Sequence, residues 1–473
     1  MVPASTANVI ARSDHSISRN HISPNALRVL YRLREGGFQA FLVGGCVRDL
    51  LLGLEPKDFD VVTDALPEQV KRLFRNCRLV GRRFRLAHVF FGREIIEVAT
   101  FRAATAPEQG DEPLPDSDPE DETPEADAAS EVEIEDEDAE RLLDEHGRIL
   151  RDNVYGTIDA DVWRRDFTAN SLYYNIADFS VWDYVGGVED IKARQLRLIG
   201  DPETRYREDP VRMLRAARFE AKLDFEIEPG SREPLERLAP LIDNVPPARL
   251  FDETLKLFLT GHGLRSLEVL RRHGILAHLF PTIDAYFVAH PGSLVEKLLR
   301  QGLANTDERV RTDKPVTPTF LFAILFYGPI AKAIEATPPE RWHDLRTILD
   351  ACERAVREGQ SHVAIPKRFT LGVREMFMLQ PRLEHPRGRR ALRVLEHPRF
   401  RAAYDLLLLR AQFGLASQDV AKWWTQLQEA SGDARGKMVD DLAPSGAPSG
   451  PRREGGRRGG RSRRRRRTPR PAQ

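Results

Sequence analysis

Residues 44–49 read Gly44-Gly45-Cys46-Val47-Arg48-Asp49, and shortly after them comes Lys57-Asp58-Phe59-Asp60. The apolar run Phe38 to Val43 leads into the glycine pair and predicts a buried strand. Val47, Leu50 and Leu51 then carry a short helix that Gly53 ends, and Phe59 to Thr63 predicts a second strand. Asp58 and Asp60 stand two apart, so the period of a strand puts both carboxylates on one face. Two carboxylates held together repel unless a cation neutralises them. A pair of Mg²⁺ ions held this way can clamp a triphosphate and activate an attacking hydroxyl. Gly44 and Gly45 offer backbone N–H groups that phosphate can approach closely at a helix start. Glu97, in the strand-like run Ile96 to Arg102, is a candidate third carboxylate. A lone DxD is common by chance and a lone glycine pair is often only a turn. Their order and spacing carry the signal.

Working outward, Ser23-Pro24 is an N-cap followed by Pro at the first helical position. Leu27, Leu30, Tyr31 and Leu33 continue at helical spacing to Gly36-Gly37. Pro67 to Phe74 predicts a short helix, and His88–Phe91 with Glu94–Phe101 a hairpin turning at Gly92-Arg93. Structure is expected to resume near Ile149, with a helix over Asp166 to Ile176 and short strands around Gly186-Gly187. From Thr204 onward the pattern is helical, as in Pro210–Leu223, Pro247–Thr260, Leu264–Arg272 and Arg341–Arg357. The predicted fold class is α+β: an N-terminal head with a small mixed β-sheet and helices, then all-α neck and body domains, then a disordered basic tail. The expected boundaries are a flexible arm over 1–22, the head over 23–203 with an acidic disordered insertion at about 104–146, the neck over 204–275, the body over 276–430 and the tail over 431–473.

The length of 473 residues agrees with about three domains. A formal net charge of zero conceals an asymmetry, because residues 107–140 hold 17 Asp or Glu and no Lys or Arg, whereas residues 451–473 hold 11 Arg and one acid. Neither segment has the apolar residues that offset the entropy of ordering. Cys46, Cys77 and Cys352 form no CxxC pair, which excludes a zinc knuckle or a disulfide framework. The polar N-terminus has no signal-peptide core, and no apolar run reaches the ~20 residues of a transmembrane segment. The expected location is cytoplasmic. Hydrolase-elbow and P-loop patterns are absent. His343-Asp344 lacks companion ligands and reads as surface.

Two further stretches matter: Arg164-Arg165-Asp166-Phe167-Thr168-Ala169-Asn170 and Glu208-Asp209-Pro210-Val211-Arg212. Asp166 and Asp209 each read as a helix N-cap. An Asp at a helix start with an Arg one turn on also presents an acceptor and a donor side by side. Together with the Gly44 and Asp58 motifs, these stretches resemble the class II nucleotidyltransferase family, which contains bacterial poly(A) polymerases and CCA-adding tRNA nucleotidyltransferases. The resemblance covers roughly residues 30–280, without the acidic segment. It implies a nucleotidyltransferase head in which Asp58 and Asp60, with Glu97, hold two Mg²⁺ ions beside Gly44, Gly45 and Arg48. It further implies that Arg165, the catalytic Asp166 and Asn170 hold the ribose of ATP, the substrate, and that Asp209 and Arg212 read the base. Arg215 and Arg218 continue the Arg212 stripe toward triphosphate, RNA or solvent.

The segment Leu79 to Val89 looks like one that separates bacterial poly(A) polymerases from CCA-adding relatives. The Arg-rich tail, which would bind RNA without sequence preference, points the same way. The expected activity is template-independent transfer of AMP to RNA 3′ ends of broad specificity, with RNA-decay proteins as partners. The alternatives are CCA addition to tRNA and a non-catalytic RNA-binding protein.

Overall fold

The computed structural model describes residues 6–81, 85–103, 142–143, 149–151 and 155–442. An eight-stranded sheet organises the head. Its strands, in chain order, are β1 (Asn8–Ile10), β2 (Ala40–Val43), β3 (Asp60–Thr63), β4 (Cys77–Val80), β5 (Leu86–Phe91), β6 (Glu94–Thr100), β7 (Leu172–Asn175) and β8 (Val181–Asp183). They lie in the order β1-β8-β7-β2-β3-β6-β5-β4. Every neighbouring pair is antiparallel except β3 with β6, so the sheet is mixed as predicted.

The apolar run of β2 is buried on both faces, which is why it reads as continuous rather than alternating. Ala40 and Leu42 face the main core, which runs on into the helical region. Phe41 and Val43 face a smaller cluster with Val62, Phe101 and Tyr173, which Ile158 and Val162 of the helix Ile158–Arg164 close.

From Pro202 to Asp440 the chain is helical, interrupted only by the short strand Glu226–Ile227, which pairs in parallel with Gln195–Leu196. No single helix among the described residues is long and apolar enough to cross a membrane. The bent pair Pro318–Leu325 and Tyr327–Glu335 has that composition, and its residues Leu321 to Phe326 are buried core.

Several expectations are corrected. Residues 6–22 are no separate arm: β1 adds to the edge of the sheet against β8, Ile17 and Ile22 are buried, and His15 Nε2 bonds the Phe179 carbonyl at 2.8 Å. Asp166 to Ile176 is not a helix. A 3₁₀ turn over Thr168–Asn170 leads into β7, whose Leu-Tyr-Tyr run pairs between β2 and β8; sheet pairing and aromatic β-propensity win over helical spacing. The short strands expected around Gly186-Gly187 are present as Val181–Asp183 and Gln195–Leu196, and between them Gly187 opens a helix, Gly187–Ala193, which Asp183 caps by accepting from the amides of residues 185–188. A helix over Gly432–Asp440, with Val439 buried, occupies the start of the expected tail. The acidic segment 107–140, Arg82 to Phe84 and the arginine run 451–473 lie outside the described residues.

The strand end at β6 and the start of the Ile158 helix meet. Arg102 pairs antiparallel with Tyr155, and the Gly156 amide donates to the Phe101 carbonyl at 2.9 Å. Glycine is required at 156, since a Cβ there would lie 2.5 Å from the Ala103 nitrogen.

Candidate active site

The pairing of β2 with β3 builds the site. Val43 stands opposite Asp60, so the chain that turns into Gly44 starts beside the chain that delivers Asp60. Gly44 has φ +77°, a conformation side-chain-bearing residues rarely adopt, and it caps the helix Gly45–Leu51. On the other flank of β2, Val43 pairs with Tyr173, which brings Asn170 and Arg165 to Gly44. The strand begins only at Asp60, so Asp58 sits in the approach to it. Phe59 between them is buried while both aspartates are exposed, so the alternation expected of a strand holds across the boundary.

Asp58, Asp60, Gly44, Gly45, Arg48, Arg165, Asp166, Asn170, Asp209, Arg212 and Arg215 all line one cavity of about 480 Å³. Lys57, Lys222 and Phe219 complete the parts of its wall that bear on charge and shape. Glu97 is the exception among the expected site residues. It stands beside Asp60 in register on β6 but does not line the cavity, and it is half exposed with His88 Nε2 at 3.6 Å.

Asp60 opens onto the cavity, yet protein surrounds most of it. Burial first, then the charges of Glu97 and Asp58 against the opposing pull of Arg165, push its carboxyl up to about 6. Burial and the Asp60 charge push the Cys46 thiol up to about 12, so it is a neutral donor to the Val43 carbonyl at 3.2 Å and no nucleophile. Among the described residues no group of three His, Cys, Asp or Glu side chains is gathered to hold a metal. A pair of carboxylates beside an open, charge-crowded cavity nevertheless fits Mg²⁺, which binds through one or two carboxylates plus substrate phosphates rather than in an all-protein cage.

Three layers of polar contacts fix the other groups. Arg165 donates through Nε and Nη2 to Asp161 Oδ2 at 3.2 and 2.9 Å, and through Nε to the Tyr173 hydroxyl at 2.9 Å. The Tyr173 hydroxyl in turn donates to the same Asp161 oxygen at 2.9 Å. Burial opposes the Arg165 charge, but Tyr173 and Asp161 outweigh it and hold the guanidinium's pKa above its ordinary value. Arg48 is 1% exposed; it donates to Asp49 at 2.6 Å and to Asn170 Oδ1. Arg48 is therefore a buried strut for Asn170.

Asp166 accepts from the Phe167 amide at 2.9 Å and from Arg215 Nε at 2.7 Å. Burial would raise its pKa, but Arg215 dominates and holds it below the usual carboxylate range. The helix Val211–Leu223 carries Arg215 and lays Phe219 edge-on against Phe167, 5.6 Å between centroids. Asp209 accepts from the Val211 amide at 3.2 Å and from Arg249 at 3.0 Å. Pro210 itself, not Asp209, is the residue flanking that helix. Arg212 donates to the Arg205 carbonyl at 2.8 Å and to Glu208 at 3.2 Å. Arg205 reaches the Arg164 and Arg165 carbonyls at 3.1 and 2.9 Å and so ties the third motif to the second.

Asp161, Tyr173, Arg205 and Arg249 were not identified from sequence. Asp161 stands one helical turn before Arg165, a spacing that signals a pair. Arg249 gives no such signal, being 40 positions from its partner.

The chain matches the Poly A polymerase head domain over residues 40–197, the "Probable RNA and SrmB- binding site of polymerase A" over 224–287, and the Polymerase A arginine-rich C-terminus over 340–471. Poly(A) polymerase I of Salmonella typhi is 46% identical over 445 residues, covering 93% of this chain and 90% of that protein. The CCA-adding enzyme of Lactobacillus helveticus is 30% identical over 244 residues, 52% of each chain. A solved tRNA-processing enzyme (apo form 2) shares the fold with TM-score 0.55 at 20% identity, over 88% of this chain and 99% of that one. The long match at high identity, against the half-length match to the CCA-adding enzyme, decides the branch: the chain belongs to the poly(A) polymerase I family.

Proposed function

We propose that this cavity takes ATP and the 3′ end of an RNA, transfers AMP to the 3′-hydroxyl and releases pyrophosphate. The observation that carries the reading is the convergence of three motifs, spread along the chain from Gly44 to Arg212, on one cavity lined by aspartates together with arginines and lysines. Such transfer needs little from the protein beyond positioning and charge neutralisation. Asp58 and Asp60 would hold two Mg²⁺ ions, with Glu97 adding negative charge from the neighbouring strand. The chemistry such ions would supply there is acidification of the RNA 3′-hydroxyl and neutralisation of triphosphate charge.

The protein's own groups do the rest. Gly44 leaves space for phosphate beside Arg165, whose Nη1 lies on the Gly44 side. Lys57, Arg215 and Lys222 offset the triphosphate. Burial lowers the pKa of Lys222, a cost that an entering polyanion would relieve. Arg48 occupies Asn170 Oδ1, which leaves the amide NH₂ to donate to a ribose hydroxyl. Asp166 sits beside the same sugar and is kept ionised by Arg215. Asp209 keeps spare lone pairs after bonding Val211 and Arg249, and Arg212 keeps N–H groups after bonding Arg205 and Glu208. An acceptor and a donor held in this way match the edge of adenine.

The reading extends to RNA 3′ ends without a fixed sequence, and to cytoplasmic RNA decay with RNA-decay proteins as partners; the arginine tail supports the broad specificity. The test is Asp60→Asn. AMP incorporation from ATP into a generic RNA is expected to fall at least ~100-fold, from lost charge stabilisation at the metals. Turnover near the wild-type rate would remove Asp60 from the machinery. Product length with ATP alone, against CTP plus ATP, separates tail synthesis from CCA addition.

A further inference from the structure

A second cavity, also about 480 Å³, opens in the C-terminal helical region and shares no lining residue with the first. Its apolar lining includes the buried Leu379 and Val394 and the exposed Leu345. Its walls carry Arg382, Arg387, Arg390 and Arg393, and no Asp or Glu lines it. These arginines differ from their neighbours. Arg389 faces Asp440 at 3.7 Å, Arg399 pairs with Glu375 at 3.1 Å, Arg401 with Asp405 at 3.1 Å and Arg410 with Glu384. The four that line the cavity have no carboxylate partner among the described residues. Glu384, two positions from Arg382, is committed to Arg410, and Glu396, three positions after Arg393, does not line the cavity.

Three imidazoles complete the wall: His343, His385 and His397. His343 and His385 meet edge to face at 5.4 Å, so planar rings line the cavity beside the arginines. Cations left unpaired beside an apolar lining with planar rings are the elements by which proteins hold single-stranded nucleic acid: phosphates go to the guanidiniums and bases to the rings and apolar lining.

We propose that this cleft holds a segment of the substrate RNA upstream of its 3′ end, as a second and separate contact that anchors the strand while its end is extended. The inference rests on the adenylyl-transfer reading only in taking RNA as the substrate. It gives the His343-Asp344 pair, read from sequence as plain surface, a role through His343.

The test is Arg387→Gln/Arg390→Gln in the full chain, assayed with ATP on oligo(A) primers of increasing length. Both residues are exposed, so the melting temperature should match wild type. For primers long enough to reach the cleft, KM for RNA should rise on the order of five- to tenfold, with kcat held, and the log–log salt slope should flatten by about 1.4 for two lost phosphate contacts. Short primers should show no change. Arg387→Lys/Arg390→Lys, which keeps the charge, should restore most of the affinity. An equal KM rise at every length, or no rise at any, would overturn the proposal. A raised KM for ATP on the shortest primer would also overturn it, by making the cleft a free-nucleotide site. Failure of wild-type enzyme to extend any primer would instead strike the proposed function.

Discussion

Asp161→Asn isolates the group that sets Arg165. Asp161 Oδ2 receives two bonds from Arg165 and one from Tyr173, at 2.9 to 3.2 Å, and its side chain is 12% exposed. Asparagine preserves the shape and an acceptor but removes the negative charge. A hydrogen bond to a charged partner contributes roughly 1.5–3 kcal/mol against about 0.5–1.5 for a neutral one. Losing that difference at two bonds predicts a cost of about 2–3 kcal/mol. This is less than the ~3–5 kcal/mol of a buried pair broken outright, because the amide oxygen still accepts. With an m-value of about 2–3 kcal/mol per molar, the urea midpoint of the head should fall by about 1 M. Arg165 would then be held loosely beside Gly44, and KM for ATP should rise about tenfold, the equivalent of ~1.4 kcal/mol. Tyr173→Phe removes one hydroxyl and leaves the Asp161–Arg165 pair intact, so it should cost only about 1 kcal/mol. Urea unfolding followed by tryptophan fluorescence, and steady-state kinetics in ATP, measure both effects. An Asp161→Asn enzyme with unchanged midpoint and unchanged KM would refute the assignment of Asp161 as the residue that fixes Arg165.

Asp166 has a pKa below its ordinary value, so its stabilisation is present above the unfolded-state pKa and is lost as pH falls through the folded value. Asp166→Asn should therefore be less stable by about 1–3 kcal/mol at neutral pH, and the gap should begin to close only as pH falls below about 4, closing fully below the depressed folded value; parallel stability curves down to acid pH would contradict this. Arg212→Ala should erode the preference for ATP over other nucleoside triphosphates, and Arg249→Ala should do so more weakly, since it only steadies Asp209; full selectivity in Arg212→Ala would leave the pair as a cap and a surface charge. Deleting residues 451–473 should raise KM for RNA and flatten its salt dependence while turnover at saturating RNA stays within about threefold; a large kcat loss at unchanged RNA affinity would place the segment at the active site.

The residues that line the cavity were legible because each motif is contiguous, and a strand–glycine–helix–strand reading already sets Asp58 and Asp60 beside Gly44. The supports were harder to read. Tyr173 was hidden by the reading of Asp166 to Ile176 as a helix, where local spacing ignored the pairing that makes Leu172 to Asn175 a central strand. Residues 6–22 look detached in sequence because what anchors them, the edge pairing of β1, the His15 contact and the isolated buried Ile17 and Ile22, leaves no local periodicity. Glu97 is the partial case. Its place beside Asp60 followed from the strands, and its charge acts on Asp60, but it does not line the cavity. Arg249 is a tertiary partner with no local signature.

The bridge between Arg102 and Tyr155, with Gly156 packed against Ala103, has an engineering consequence. The chain leaves the head and re-enters it at the same point, so whatever lies between those residues is a closed excursion. Doubling the length of such a loop costs only about 0.6 kcal/mol of closure entropy. The head can therefore serve as a port: a short glycine–serine tether, or a whole reporter domain whose own ends lie close together, can be spliced in there without moving Asp60 or Arg165 relative to each other. The stem residues 102 and 156 are the coupling that has to be kept.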